Sequence, residues 1–368
     1  MRMLFVASAL PSHFFAMAPF AWAAHAAGHD VRVATQPQLC PAVAACGLAT
    51  VGVGRPMDFA GDYRRGRAAD PKDLFVRIAA DMADDLVAMA RHWRPDVVVW
   101  EPTSFAGPVA AAAAGAPCWR FLWGPDIVGR GGSGRERMPD GVRELFTRHG
   151  CSADQVPAWL TIDPCPPSVQ VPTSAPWRHV RYVPHSTAAR VPRAVLAPPR
   201  RPRVVVTLGM SVSGLVGEQA FPASRVARAL AGDGGEVVVA LGARQAAAFG
   251  EVPPGVRLVA DCPVTTLLAG ASAVVHHGGA GTMMSAVLAG VPQLVLSSMP
   301  DLGFYGDRLA ATGAGLRLGA DDADDTAVRD AVNRLRADAT PALRLRAEAL
   351  RQPTPARLLA ELTAVPTM

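Results

Sequence analysis

Short β-branched runs alternating with longer helix-like stretches leave a chain few folds to choose from, and this one alternates from its first residues. Leu4–Ala9 reads as an apolar strand. A turn with His13 follows, then a helix-like stretch (Phe14–Ala27) closed by Gly28, and a second short strand (Val31–Ala34). Strand, helix and strand in series return the chain in one direction, so the right-handed crossover makes the sheet parallel. A helix over about Lys72–His92 leads into VVVW at 97–100, and alanine-rich Gly107–Ala114 leads into CWRFLW. The first half is expected to be doubly wound α/β.

Between Gly124 and Arg181 the regularity is lost, and DPCPPSVQVPTSAP holds too many prolines for a helix. Residues 184–202 form the best linker. Alternation then restarts with RVVVTLG, a helix over about Glu218–Ala231, and the strands EVVVAL, VRLV, AVV, QLVL and AGLRL. Two domains are expected, 1–190 and 200–350, with 351–368 a final amphipathic helix packing back on the first.

At 368 residues the chain suffices for two cores of ordinary size. Its net charge of +5 comes almost wholly from scattered arginine, Lys72 being the only lysine, which argues against a basic stripe for nucleic acid. The six cysteines form no CxxC pair, and the N-terminal segment lacks a long apolar region and a cleavage site. No run of about 18 apolar residues occurs. A cytoplasmic protein with reduced thiols is expected, with a homodimer left open.

Ligands of open parallel sheets bind beyond the carboxyl ends of the strands. HHGGAGT, residues 276–282, stands there, between a buried strand and a helix. Glycines let backbone approach a ligand, the first helical N–H groups lack partners, and the dipole favours negative charge. A diphosphate fits this turn, although the residues alone leave a plain tight turn open.

HHGGAGT followed by GVPQLVL resembles the signature of the GT-B glycosyltransferases that decorate antibiotics in actinomycetes. AAHAAGHDVRVAT, PDVVVWEPTSFAG, PCPPSV, RYVPH, PRVVVTLG and ATGAG follow that family's order. The resemblance implies two Rossmann-like doubly wound domains facing a cleft. It also implies inverting transfer of a sugar from a nucleoside diphosphate to a hydrophobic aglycone, with acceptor bound by the first domain and donor by the second. His277, Gly278, Gly279, Ala280, Gly281 and Thr282 would hold the diphosphate, and Gly209 and Ser211 would form a second phosphate loop. His13, just past the first strand, matches the family's base, for which imidazole is suited at neutral pH. Glu101, just past VVVW, matches its orienter.

Two positions depart from the family. Asp301 is followed by Leu302 where relatives carry Asp-Gln for sugar hydroxyls, which favours a deoxysugar. Asp261 stands where many relatives stack a tryptophan on the base, so thymidine and uridine are not separated. In DDADD, 321–325, the aspartates are expected to cap a helix rather than hold manganese, so neither metal nor cofactor is implied beyond the donor co-substrate. Phe14, Phe15, Met57, Phe59 and Trp123 are candidates for the acceptor pocket. A nucleotide-sugar epimerase of the same fold and an inactive auxiliary partner of a transferase remain as alternatives.

Overall fold

A computed structural model describes residues 1–66, 71–129, 138–171, 176–185, 191–209, 223–232, 234–297, 299–319 and 322–364. The chain divides into two compact units. Met1–Pro164, Val171–Thr187 and Pro353–Met368 form the first; Cys165–Gln170 and Ala188–Gln352 form the second. The division falls within 184–202, but the short stretch after Pro164 joins the second unit and the tail returns to the first.

The first unit holds a parallel sheet of seven strands: β1 (Arg2–Ala7), β2 (Asp30–Thr35), β3 (Ala49–Gly52), β4 (Val97–Trp100), β5 (Cys118–Phe121), β6 (Trp159–Asp163) and β7 (Trp177–His179). Their order is β3-β2-β1-β4-β5-β6-β7. Helices cover both faces of such a sheet, so its central strands are buried throughout rather than alternating. Leu4, Val6, Val98 and Trp100 pack with the helix Pro71–Trp93 on one side. Met3, Phe5, Val97 and Val99 pack on the other with the helix Pro11–Ala26. That helix is apolar nearly all round because the tail helix Pro355–Thr363 covers it, with Leu358 and Leu359 in the same cluster.

This burial corrects one expectation. Phe14 is fully enclosed in that cluster, where its ring contributes about 1.5–3 kcal/mol of apolar burial. Phe15 is buried there too. Two strands, β6 and β7, and the helix Asp140–Arg148 arise where the sequence suggested irregular chain, and β3 forms in a stretch the sequence reading left unassigned.

The second unit holds six parallel strands: β8 (Arg203–Thr207), β9 (Glu236–Leu241), β10 (Val256–Ala260), β11 (Ala271–His276), β12 (Gln293–Ser297) and β13 (Gly315–Gly319). Their order is β10-β9-β8-β11-β12-β13. Val204, Val206 and Val275 face one cluster, and Val205, Val238 and Val274 the other. Of DDADD, Asp324 caps the helix Asp325–Ala337, its Oδ1 accepting from Ala327 N at 2.8 Å. No described helix is long and apolar enough to cross a membrane, and all six cysteines are free.

Candidate functional site

In each sheet the strand order reverses once. After β1 the chain lays β2 on one side and later β4 on the other; after β8 it lays β9 on one side and later β11 on the other. Such switch points open crevices beyond the strand ends. His13, Glu101, Gly209 and His277 follow β1, β4, β8 and β11 in turn.

In the first unit, Val6 pairs with Trp100, so β1 and β4 end level and Ser8 meets Glu101. Glu101 is fully buried. Its Oε1 accepts from Ser8 Oγ at 2.8 Å, from Thr103 Oγ1 at 2.9 Å and from Ser104 Oγ. Its Oε2 accepts from Thr103 N at 3.0 Å and lies 3.0 Å from His13 Nδ1. Burial alone would push this carboxyl up, but His13 and the Ser104 and Thr103 hydrogen bonds outweigh it and hold it at about 2. The ionised carboxylate can only accept, so Nδ1 carries the proton and donates, and His13 keeps the Nε2 lone pair free. A proton acceptor with a fixed tautomer results.

Ser8, Thr103 and Ser104 were not singled out in the sequence. Their only local sign is hydroxyls just beyond two apolar strands. Of the remaining acceptor candidates, Trp123 lies on His13, ring centroids 3.9 Å apart and 14° from parallel. Phe59 stacks on Phe75 at 5.3 Å, and both it and Met57 pack half-buried against the cluster around Ile78 and Met82.

In the second unit, the helix Ala280–Ala289 starts directly after the glycine turn, with Gly279 as N-cap and no side-chain cap. Gly281 is exposed and Thr282 half-buried, so the first-turn amides are accessible. Gly278 has φ +97°, and a Cβ there would lie 2.9 Å from the Leu302 carbonyl. The first turn of the helix Pro300–Ala310, with Asp301, therefore abuts the glycine turn.

The two histidines divide the work. His276 Nδ1 accepts from Gly278 N at 3.1 Å, so its Nε2 carries the proton and donates to Gln293 Oε1 at 3.0 Å, while Gln293 Nε2 donates to the Met283 carbonyl. His276 thus braces the turn from behind. His277 is 5% exposed and wedged between glycines: a Cβ on Gly209 would lie 2.4 Å from its Cε1, and one on Gly279 2.4 Å from its Nε2. Its Nδ1 is buried and makes no hydrogen bond of ordinary geometry among the described residues, although the Thr207 backbone lies beside the ring. Ser211 lies outside the described residues. Asp261, at the end of β10, accepts from Ala243 N at 2.9 Å, so this carboxylate is engaged with backbone.

Two models cover nearly the whole chain: Erythromycin biosynthesis protein CIII-like, N-terminal domain, over residues 22–68 and 69–209, and its C-terminal domain over residues 224–365. The chain belongs to this family. The family member is 37% identical to 10-deoxymethynolide desosaminyltransferase of Streptomyces venezuelae, over 98% of this chain and 96% of that one. It also matches the crystal structure of glycosyltransferase VinC in complex with dTDP, with a TM-score of 0.83 and 30% identity over 99% of both chains. Spinosyn forosaminyltransferase SpnP matches with a TM-score of 0.86 and 31% identity, covering 99% and 98%. This member is a glycosyltransferase of GT-B fold.

Two measurements probe the turn of the second unit. Gln293→Leu strands the buried His276 N–H, so urea unfolding should show a loss of about 2 kcal/mol; a loss within about 0.5 kcal/mol would remove the brace. The second concerns pH. Burial lowers His276 to about 4, and burial with the neighbouring His276 lowers His277 to about 3, against an ordinary 6.5. Below pH 6.5 the unfolded chain binds protons that the fold refuses. Stability is therefore complete above about 6.5 and falls as pH drops toward 4 and 3. Calorimetry between about pH 7 and 4 should show a falling melting temperature with uptake of about two protons on unfolding, and a flat profile would contradict the burial.

Proposed function

We propose that this chain is an inverting, metal-independent transferase that moves a deoxysugar from a thymidine diphosphate donor to a hydroxyl of a hydrophobic aglycone in cytoplasmic antibiotic biosynthesis. One observation carries the reading: a caged histidine base stands at the switch point of one sheet, and an uncapped glycine turn at that of the other. In this reading the first unit supplies the base and the second the donor cradle.

His13 Nε2 takes the proton of the acceptor hydroxyl as its oxygen attacks the anomeric carbon. The bond from that carbon to the diphosphate oxygen breaks, its electron pair leaves with the diphosphate, and single displacement inverts the carbon. Glu101 stabilises the imidazolium. The amides of Ala280, Gly281 and Thr282, the Thr282 hydroxyl and His277 receive the charge released. Helix-end amides already compensate this charge, so no divalent ion is required; Asp301 accepts from a sugar hydroxyl. Support for the thymidine nucleotide comes from VinC, whose structure holds dTDP, and for a macrolide-type acceptor from the desosaminyltransferase relative.

The test is incubation of a thymidine diphosphate deoxysugar with a macrolide aglycone, with and without a chelator. A glycoside of inverted anomeric configuration, formed equally in both, is the expected result. An epimerised donor formed without acceptor, or turnover lost to the chelator, would overturn the reading.

A further inference from the structure

Among the described residues, hydrogen bonding holds His13 at one point, Nδ1. Glu101 Oε2 at 3.0 Å and Thr103 Oγ1 at 3.2 Å both meet that same atom. A ring tethered at one nitrogen can still tilt, and tilting swings Nε2, the atom that must meet the acceptor proton. Something else has to set the ring plane.

Trp123 covers the imidazole nearly parallel at 3.9 Å, and the segment carrying it is tied down. Leu122 N donates to the Ile162 carbonyl of β6 at 2.9 Å. Arg120, on β5, meets Asp126 with two hydrogen bonds, 2.7 Å from Nη1 and 2.6 Å from Nη2. Both residues are buried, at 4% and 5% exposure. Asp126 Oδ1 also accepts from Gly129 N at 2.8 Å, and a Cβ on Gly129 would lie 2.3 Å from Asp126 Oδ2. A planar guanidinium held bidentately by a carboxylate admits one geometry. Residues 122–129 are thus a strap pinned at both ends, with the indole as its inner surface.

We propose that Trp123 is a positioning residue: pinned by the Arg120–Asp126 pair, it fixes the plane of His13 and lends its π face to the imidazolium that forms during transfer. This deepens the base reading above and rests on it. The stack acts on the proton-transfer step and not on donor binding. Its loss therefore falls on kcat.

The experiment compares Trp123→Ala, Trp123→Phe and His13→Ala with the full-length wild type. With Trp123→Ala, kcat should fall about 10- to 100-fold with both KM values little changed, and the phenyl face of Trp123→Phe should restore it to within about fivefold. Unchanged thymidine diphosphate binding in each variant shows that the protein is folded. If His13→Ala transfers sugar normally, the base reading falls and the proposal with it. If His13→Ala is inactive but Trp123→Ala keeps the wild-type kcat, the positioning role alone is overturned.

Discussion

His13→Ala should lower sugar transfer by about 100- to 10,000-fold, the usual contribution of a positioned general base, while thymidine diphosphate still binds. An aglycone hydroxyl is a poor nucleophile until its proton moves, and the Nε2 lone pair is what moves it. The diphosphate contacts assigned here come from the other unit, so a binding titration should not register the change. Glu101→Gln tests the same device from behind. An amide can donate as well as accept, so it neither dictates the tautomer nor stabilises the imidazolium, and it disturbs a cage formed by Ser8, Thr103 and Ser104. It should lose most of the same rate. Wild-type turnover by His13→Ala would require the base to be sought elsewhere.

Gly209→Ala should weaken thymidine diphosphate binding by about 100-fold or more, equivalent to roughly 3 kcal/mol. Two effects combine. Gly209 has φ +66°, where a side chain is strained, and the added methyl would sit 2.4 Å from His277 Cε1. The imidazole cannot retreat, because Gly279 closes on its other edge. Gly28→Ala is the control: φ is +83° there, but nothing lies within 4 Å of the new Cβ. That variant should lose about 1 kcal/mol of stability through backbone strain and keep its affinity. Calorimetric titration of both variants is decisive. Equal affinity in Gly209→Ala and Gly28→Ala would mean that the His277 wedge has no part in holding the nucleotide.

Much of the fold was legible because hydrophobic periodicity is local. Continuous runs such as VVVW and RVVVT become strands buried on both faces, and Gly28 closes the first helical segment at a left-handed φ. Short strands escaped for the same reason. WRH in β7 has no β-branched run, and WLTID in β6 runs straight into a proline-broken stretch; both are made strands by pairing with an edge already laid down. Phe14 follows His13 directly in sequence, yet successive helical residues point about 100° apart. The histidine opens toward Glu101 while the phenylalanine turns into the core.

The sequence by itself determined a pair of parallel α/β units and the positions of the chemically capable side chains just past their strands, since crossover handedness and helix-end electrostatics depend on neighbouring residues alone. Only the tertiary structure decided which of those side chains meet. His13 reaches Glu101, 88 positions away, because β4 pairs with β1, and His277 reaches Gly209 because β11 pairs with β8. The hydroxyl cage, the indole over the imidazole and the brace by His276 and Gln293 likewise arise from strand pairings and core packing. Each depends on contacts between residues distant in the chain, which no local pattern encodes.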